Sequence, residues 1–377
     1  MKDNIGKIIK TIVNNPGNIP WRGFQFARRI FPLDYYFASG HAFPPDIITI
    51  LITRRCNFSC PGCSSASPLY TKDCADKKEM SLEEIKKLID QVAWFKPAIY
   101  FNGGEPTLRP DLIEAIKYAK SKGLITALTT NGSLMDEDLT AKIVSSGLDF
   151  YSTSIDGPAE YHNARRGFTF AYENATRGII NLLLARKKAG VATPHIRISC
   201  ITNSEKVDYN WHVLHLANDL GTDEVAFGNL MFYSPEVEKK QNDFIAAHGT
   251  GGQEVIGLAV NDGKIAVDAP ALKEFYRTAK QKSKIPVYLV LNEGDVDSFY
   301  SWRYPAKSRC LTPWLVAVVL PNGDVTVCQN LILGNILQDK FTKIWNNKKF
   351  KYFRLARKKY QMPACFRCIE GQEIKFD

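Results

Sequence analysis

Three cysteines lie close together in one short stretch, Cys56-Asn-Phe-Ser-Cys60-Pro-Gly-Cys63. Thiolates are the protein ligands of iron–sulfur clusters and of zinc. Three thiolates at this spacing can bind one face of a four-iron cubane and leave one iron with an open coordination site, which indicates chemistry rather than structure. Zinc is the alternative, but it requires a fourth ligand, and the stretch offers only hydroxyl groups and Cys74.

A second group of cysteines lies near the C-terminus, with the spacing Cys310-x12-Gly323-x4-Cys328 followed by Cys365-x2-Cys368. Four thiolates can ligate every iron of a cluster, so we expect this centre to transfer electrons rather than bind substrate. Four thiolates also suit tetrahedral zinc, and a structural zinc site stays open as the alternative.

The segment from Asp46 to about Asn229 alternates short β-rich runs with amphipathic helices, which is the pattern of parallel βα units. The predicted strands are Ile47 to Thr53, Ala98 to Asn102, Ile125 to Thr130, Phe150 to Ser154, His195 to Ile201 and Glu224 to Asn229. Six units predict an α/β fold with a partial (β/α)6 TIM-like barrel, open on one side. Reactive groups in such barrels lie at the C-terminal ends of the strands, and Cys56 comes directly after the first strand.

Glycine-rich and polar stretches follow three other predicted strands. They are Gly103-Gly104-Glu105-Pro106, Thr130-Asn131-Gly132 and Ser154-Ile-Asp156-Gly157, the last followed by His162, Arg165 and Arg166. On the fifth strand, alternation places Arg197 and Ser199 on one face and Cys200 on the other. We expect the polar face to look into the barrel and Cys200 to be a small packing residue.

The cysteine triad and the motifs after the later strands together resemble the radical SAM superfamily. The resemblance implies a 4Fe-4S cluster on Cys56, Cys60 and Cys63, with S-adenosyl-L-methionine chelated at its open iron. Reductive cleavage of S-adenosylmethionine would give a 5′-deoxyadenosyl radical that abstracts hydrogen from an unactivated C–H bond. An external one-electron reductant of the flavodoxin or ferredoxin type would supply the electron.

The resemblance also implies which residues contact S-adenosylmethionine. In the family, the backbone of the Gly-Gly-Glu-Pro motif contacts the methionyl amine, and a serine and an arginine contact the ribose and the carboxylate. The cofactor-binding candidates are Gly103, Gly104, Glu105, Asn131, Ser154, Arg165, Arg166 and Ser199. A bulky residue at position 104 is expected to block the cofactor and leave the cluster intact. For the two arginines, a solvated basic pair is the alternative.

The C-terminal cysteines resemble the family's SPASM extension, including its Gly-x4-Cys step. The later cysteines of that extension do not follow before Asp377, so the segment is closer to the one-cluster twitch version. The resemblance therefore implies a second 4Fe-4S cluster on Cys310, Cys328, Cys365 and Cys368. We predict a β-hairpin around Pro321-Asn322-Gly323 with two short helices after it.

The expected organisation is an N-terminal segment (1–45), a barrel domain (46–304, core 46–229) and a cluster-binding domain (305–377). In the first segment, apolar side chains from Ile5 to Val13 recur at helical spacing and are followed by basic and aromatic residues up to Phe31. Residues 1–31 could therefore lie on an anionic membrane surface or pack along the barrel. The formal charge of +10 is spread along the chain and indicates no specific nucleic acid.

We expect a cytoplasmic protein, at most peripheral at the inner membrane face, because the sequence shows neither a signal peptide nor a membrane span. The expected net reaction is an oxidation or a radical coupling of a lipid, peptide or small molecule. A peptide-modifying maturase or epimerase is the alternative within the family, although about 45 residues before the barrel are too few for a winged leader-binding module. Outside the family, the alternative is a non-catalytic metal-binding interaction protein.

Overall fold

The structure is a computed structural model that describes residues 31–61, 78–230, 266–301, 310–328 and 331–359, with residues 23–25, 27–28, 63, 236–237, 239–240, 243 and 365. Among these residues, no helix combines the length and apolar composition that a membrane span requires.

Ten strands of the described chain form one open sheet. They are β1 (Ile47–Leu51), β2 (Ala98–Asn102), β3 (Ile125–Thr130), β4 (Phe150–Ser154), β5 (His195–Ile201), β6 (Glu224–Gly228), β7 (Val287–Leu289), β8 (Val316–Val319), β9 (Asp324–Val327) and β10 (Leu331–Asn335). Strands β1 to β7 are parallel neighbours, and β8 pairs in parallel with the free side of β1. The sheet is the predicted unclosed barrel, extended at its first edge by the C-terminal hairpin.

The helices that connect strands β1 to β7 are α1 (Leu82–Val92), α2 (Leu112–Ser121), α3 (Glu137–Ser145), α4 (Ala159–Arg166), α5 (Ala171–Lys188), α6 (Asp208–Leu220) and α7 (Ala269–Lys282). After β7 come α8 (Val296–Tyr300) and α9 (Thr312–Leu315), and after β10 come α10 (Phe341–Trp345) and α11 (Lys348–Lys359). Ile48, Ile50 and Phe101 point to the helical side and are fully buried in the core. Because side chains alternate along a strand, the intervening residues line the opposite, inner face of the barrel.

Helix α1 shows how the local sequence fixes an element. The Ser81 hydroxyl accepts a hydrogen bond from the Glu84 N–H, and the Glu84 carboxylate accepts one from the Ser81 N–H. This reciprocal cap satisfies donors that a helix N-terminus leaves unpaired. The sequence predicts this helix near Ser81 to Ala93, which exceeds the observed helix only by its two capping residues.

Several elements differ from the sequence prediction. Helix α4 and strand β10 were not predicted. Strand β8 begins at Val316 rather than Trp314, because Pro313 lies in the first turn of the short helix α9, where its missing N–H costs nothing. Strands β1 and β6 end two residues and one residue earlier than predicted, at Leu51 and Gly228.

The prediction for residues 1–31 concerned a membrane surface or packing along the barrel. Most of this segment, residues 1–22, lies outside the described residues. Arg28 is 3% exposed and forms an ion pair with Asp34. It also donates to the carbonyl oxygens of Pro44 (2.6 Å) and Trp314 (2.7 Å). Arg28 is therefore part of the fold and is not available to a membrane surface.

Candidate active site

The three-cysteine loop follows β1 at the C-terminal edge of the sheet. Cys56 is exposed, and Cys60 and Cys63 are half-buried. Burial raises the pKa of the Cys60 thiol, while the neighbouring Arg166 guanidinium opposes that rise. Burial is also the main cause that raises the pKa of Cys56. A bound metal centre carries the positive charge that favours the thiolate forms, so the loop suits soft metal ligation.

Residues between the cysteines fasten the loop to neighbouring elements. Asn57 accepts a hydrogen bond from the Asn131 side chain (2.9 Å) and donates to the Ser133 hydroxyl (2.8 Å) beyond β3. The Phe58 ring stacks on Phe168, with centroids 4.8 Å apart. The loop is thus held against the ends of β3 and α4, and Asn131 contributes by positioning it.

The Gly-Gly-Glu-Pro stretch packs directly on the backbone that leads to Cys56. The Gly104 N–H donates to the Thr53 carbonyl (2.9 Å), and the Glu105 N–H donates to the Arg55 carbonyl (2.7 Å). A Cβ atom at Gly104 would lie 2.3 Å from the Arg55 carbonyl oxygen. This close contact predicts, in contrast to the expectation from the sequence, that a bulky residue at 104 would also displace the backbone before Cys56 and so disturb the cluster loop.

Glu105 is fully buried, and its carboxylate binds donors from neighbouring elements. Its carboxylate accepts hydrogen bonds from the Thr107 N–H (3.0 Å), the Thr130 hydroxyl (2.6 Å) and the Asn131 N–H (2.6 Å). These donors tie the second and third strand ends together. A contact from this stretch to the methionyl amine would come from carbonyl oxygens, because an ammonium group donates.

Asp156 is the hub of the fourth strand end and is fully buried. One carboxylate oxygen pairs with Arg166 (2.7 Å) and Arg165 (3.3 Å), and the other accepts the Ile201 N–H (2.9 Å). The side chains of Arg165 and Arg166 are only 29% and 19% exposed, so they do not form a solvated basic pair. The Cys60 thiol donates to the Arg166 carbonyl (3.5 Å), which joins this hub to the cysteine loop.

His162 supports the same hub. Its Nδ1 accepts the Asp156 N–H (3.1 Å), and burial lowers the pKa of His162 to about 4. The imidazole is therefore neutral at physiological pH. The sequence identified Asp156 and His162 only as parts of a motif, because the ion pairs depend on the turn into α4, which the sequence did not predict.

Ser154 and Ser199 are paired residues on β4 and β5. The Ser199 hydroxyl lies 2.8 Å from the Ser152 hydroxyl. Cys200 is 2% exposed and packs in the core, as its place in the strand alternation predicts. The two serines are half-buried on the inner face, below the loops that carry the cysteines and arginines.

The C-terminal cysteines lie elsewhere in the fold. Cys310, Cys328 and Cys365 are half-buried, and Cys368 lies outside the described residues. Strand β8 runs parallel to β1 and β9 runs back, so Cys328 lies at the N-terminal edge of the sheet. The Cys56 loop lies at the opposite edge, one strand length of about 13 Å away.

The predicted hairpin is present. The Gly323 N–H donates to the Leu320 carbonyl (2.8 Å), and Gly323 has a φ of +86° that favours glycine. The Met80 N–H donates to the Pro321 carbonyl (2.7 Å), so the turn is attached to the C-terminal edge of the barrel.

Within the described residues, no three His, Cys, Asp or Glu side chains form a site for a metal ion.

Two family models match the chain. Residues 50–183 match the radical SAM superfamily, and residues 310–369 match an iron–sulfur cluster-binding domain, SPASM. An AdoMet-dependent heme synthase of Nitratidesulfovibrio vulgaris is 38% identical over 314 residues, which is 81% of this chain and 79% of the relative. A mycofactocin maturase of Mycolicibacterium smegmatis is 24% identical over 86% of this chain and 75% of the relative.

The fold comparison agrees with these matches. The crystal structure of Streptococcus suis SuiB superimposes on this chain with a TM-score of 0.60 and 13% sequence identity. The match covers 91% of this chain and 74% of the SuiB chain. The chain belongs to the radical SAM superfamily. It is therefore an enzyme that uses S-adenosylmethionine and 4Fe-4S clusters and needs an external reductant.

Proposed function

We propose that this enzyme oxidises an unactivated C–H position of a tetrapyrrole-type substrate held inside the barrel. One observation carries the proposal: Cys56 and Cys328 lie at opposite edges of one sheet, with an inner face between them that carries polar side chains. A substrate on that face lies between a site where hydrogen is removed and a site that can take an electron.

Cys56, Cys60 and Cys63 would hold the catalytic cluster, and Cys310, Cys328, Cys365 and Cys368 the second one. When bound, the cofactors supply a 5′-deoxyadenosyl radical that removes a hydrogen atom from the substrate. The chain's own residues hold the geometry. Glu105 and Asn131 fix the loop edge, and Asp156 holds Arg165 and Arg166. One of these two arginines would bind the cofactor's carboxylate.

The electron balance distinguishes oxidation from rearrangement. After hydrogen loss to 5′-deoxyadenosine, the substrate must lose one more electron, together with a proton from a neighbouring atom, to become a closed-shell unsaturated product. A cluster with four cysteine ligands can accept that electron without binding the substrate. An external electron acceptor would then reoxidise this cluster. Because the abstracted hydrogen stays on 5′-deoxyadenosine, each turnover would consume one S-adenosylmethionine.

The substrate class rests on the relatives. The relative named as a heme synthase combines 38% identity with coverage of 79% of its own length. The maturase relative supports a second candidate, oxidation of a peptide, but at 24% identity. The greater likeness to the heme synthase favours the tetrapyrrole.

Metal content and cofactor cleavage test the assignment of the two sites. Anaerobically reconstituted protein should bind about eight irons, the sum of two four-iron clusters. Replacing Cys56, Cys60 and Cys63 together with alanine should halve the iron and abolish 5′-deoxyadenosine formation. Four irons with stoichiometric zinc would overturn the second cluster, and unchanged 5′-deoxyadenosine would overturn the first.

A further inference from the structure

A charged cluster lies on the inner face of the barrel, on strands β5 and β6. Along β5, Ile196 and Ile198 are fully buried towards the helices, so Arg197 points to the inner face. The strand register pairs Arg197 with Ser152 of β4 on one side and with Glu224 of β6 on the other. These three residues form one row across the inner face.

Glu224 holds the arginine in place. Its carboxylate, 8% exposed, accepts from Arg197 Nη2 (2.6 Å) through one oxygen and lies 3.3 Å from His195 Nε2 through the other. The Arg197 side chain is 42% exposed although its strand is paired on both sides. A charged side chain fixed in this way and still accessible is suited to bind an anion. A guanidinium offers five N–H donors and can bind a carboxylate through two of them at once.

The surroundings of Arg197 combine hydroxyl groups with aromatic rings. The paired hydroxyls of Ser152 and Ser199 lie beside it on the same face. Below it, the Phe150 ring meets His195 edge-on, with centroids 5.7 Å apart. This surface, with aromatic rings beside hydroxyl groups, can bind a flat apolar ligand that carries an acidic group within reach of the Arg197 guanidinium.

We propose that Arg197, held by Glu224, binds a carboxylate of the substrate in the barrel interior. The inference rests on the proposed function, because it assumes a substrate between the two cysteine groups. Arg197 lies four residues before the end of β5, which places it about 13 Å from the C-terminal edge. The cofactor candidate Ser199 lies two residues further along β5, so a substrate that reaches from the cofactor to Arg197 spans about 7 to 13 Å along the strand, which suits a carboxylated tetrapyrrole.

Binding of a tetracarboxylic porphyrin tests this site. We would titrate the reconstituted holoenzyme with coproporphyrin III and follow porphyrin fluorescence, with the tetramethyl ester as the uncharged probe. The free acid should bind the wild type at least tenfold more tightly than the ester, and Arg197→Gln should lose at least tenfold in affinity. Arg197→Lys should recover part of it, because the charge returns without the planar fork. The matched control is Arg277→Gln, which removes an arginine paired with Glu274 on the outer surface.

The remaining outcomes decide the proposal. Equal affinity of wild type and Arg197→Gln, or no porphyrin binding by the wild type, would overturn it. Full recovery in the double variant Arg197→Gln/Glu224→Gln would also overturn it, because the arginine would then only neutralise Glu224. Formation of oxidised porphyrin by the wild type, measured separately, shows whether the proposed function itself has failed.

Discussion

Gly104 is the point at which the cofactor motif and the cysteine loop share one backbone contact. A Cβ atom would lie 2.3 Å from the Arg55 carbonyl oxygen and 2.6 Å from that of Arg54, and backbone atoms cannot move aside as a flexible side chain can. The resemblance alone assigned this glycine to the cofactor. The structure adds that it also sets the path of the chain into Cys56.

Gly104→Ala should therefore reduce both the catalytic cluster and S-adenosylmethionine binding. We expect more than half of the iron at the first site to be lost, measured by iron content and visible absorbance. Gly228→Ala is the control, because the nearest atom to a Cβ there is 4.0 Å away. A Gly104→Ala variant with full cluster absorbance would show that the contact does not position the loop.

His162 makes the stability of the site depend on pH. Burial lowers the pKa of His162 to about 4 from an ordinary 6.5, so the folded protein favours the neutral ring. The neutral ring therefore contributes to the free energy of unfolding. This contribution is fully present above pH 6.5 and is lost as the pH falls from 6.5 towards 4. At pH 5.5 the loss is about 1 kcal/mol in the free energy of unfolding.

His162→Asn should remove this dependence, since the asparagine oxygen can accept the Asp156 N–H but does not titrate. Urea unfolding of both proteins at pH 7.5 and pH 5.5 measures the effect. The difference between them should shift by about 1 kcal/mol in favour of the variant at pH 5.5. If the difference is the same at both pH values, the imidazole is not held neutral as described.

At the scale of elements, the pairing of β8 with β1 joins the two cysteine-bearing regions. The register places Val318 beside Thr49 on one side and Thr326 on the other, so β8 lies between two strands. Proline cannot donate to a ladder and is excluded from strands paired on both sides. Val318→Pro should therefore lower iron at both sites by at least half.

Val318→Thr keeps the N–H and the branched shape, and it should retain both clusters. Iron content of the two variants, combined with the Cys56/Cys60/Cys63 triple replacement to isolate each site, provides the measurement. Loss confined to the second site would instead show that residues 305–377 form an independent unit. That domain division remains a prediction, because residues 302–309 at its boundary lie outside the described chain.

The sequence predicted the barrel strands well, because each is a short β-rich run with a buried apolar face, and burial alternates strictly along β2, β4 and β5. Helix α4 was not predictable in this way. It has eight mostly polar residues, and only His162 is buried, so it carries no apolar stripe. Strand β10 was missed because its pairing with β9 shifts register between Ile332 and Gly334, which interrupts the alternation.

The residues of the candidate site also divide into those with a local sequence signal and those without one. The cysteines and the glycine pair were identified from the sequence, since their types and spacing carry the chemistry. The ion pairs of Asp156 and the row of Ser152, Arg197 and Glu224 were not, because each depends on the register of neighbouring strands. Contacts between distant segments have no local sequence signal.

At the scale of the whole molecule, the proposed sites of hydrogen removal and electron transfer lie at opposite edges of the sheet. Cys56 follows β1 at one edge, and Cys328 follows β9 at the other. The inner face between them is where a substrate can reach both. This arrangement predicts that the two half-reactions can be uncoupled by a change at the second site alone.

The most direct measurement is the ratio of 5′-deoxyadenosine to oxidised porphyrin when Cys328→Ala turns over iron coproporphyrin with S-adenosylmethionine and a reductant. The wild type should form both in a constant ratio, seen by liquid chromatography and mass spectrometry. The variant should still form 5′-deoxyadenosine, while oxidised product falls at least tenfold because the substrate cannot lose its second electron. A variant that lacks the second cluster and still makes normal product at a near-normal rate would contradict the account and reduce that site to a structural role.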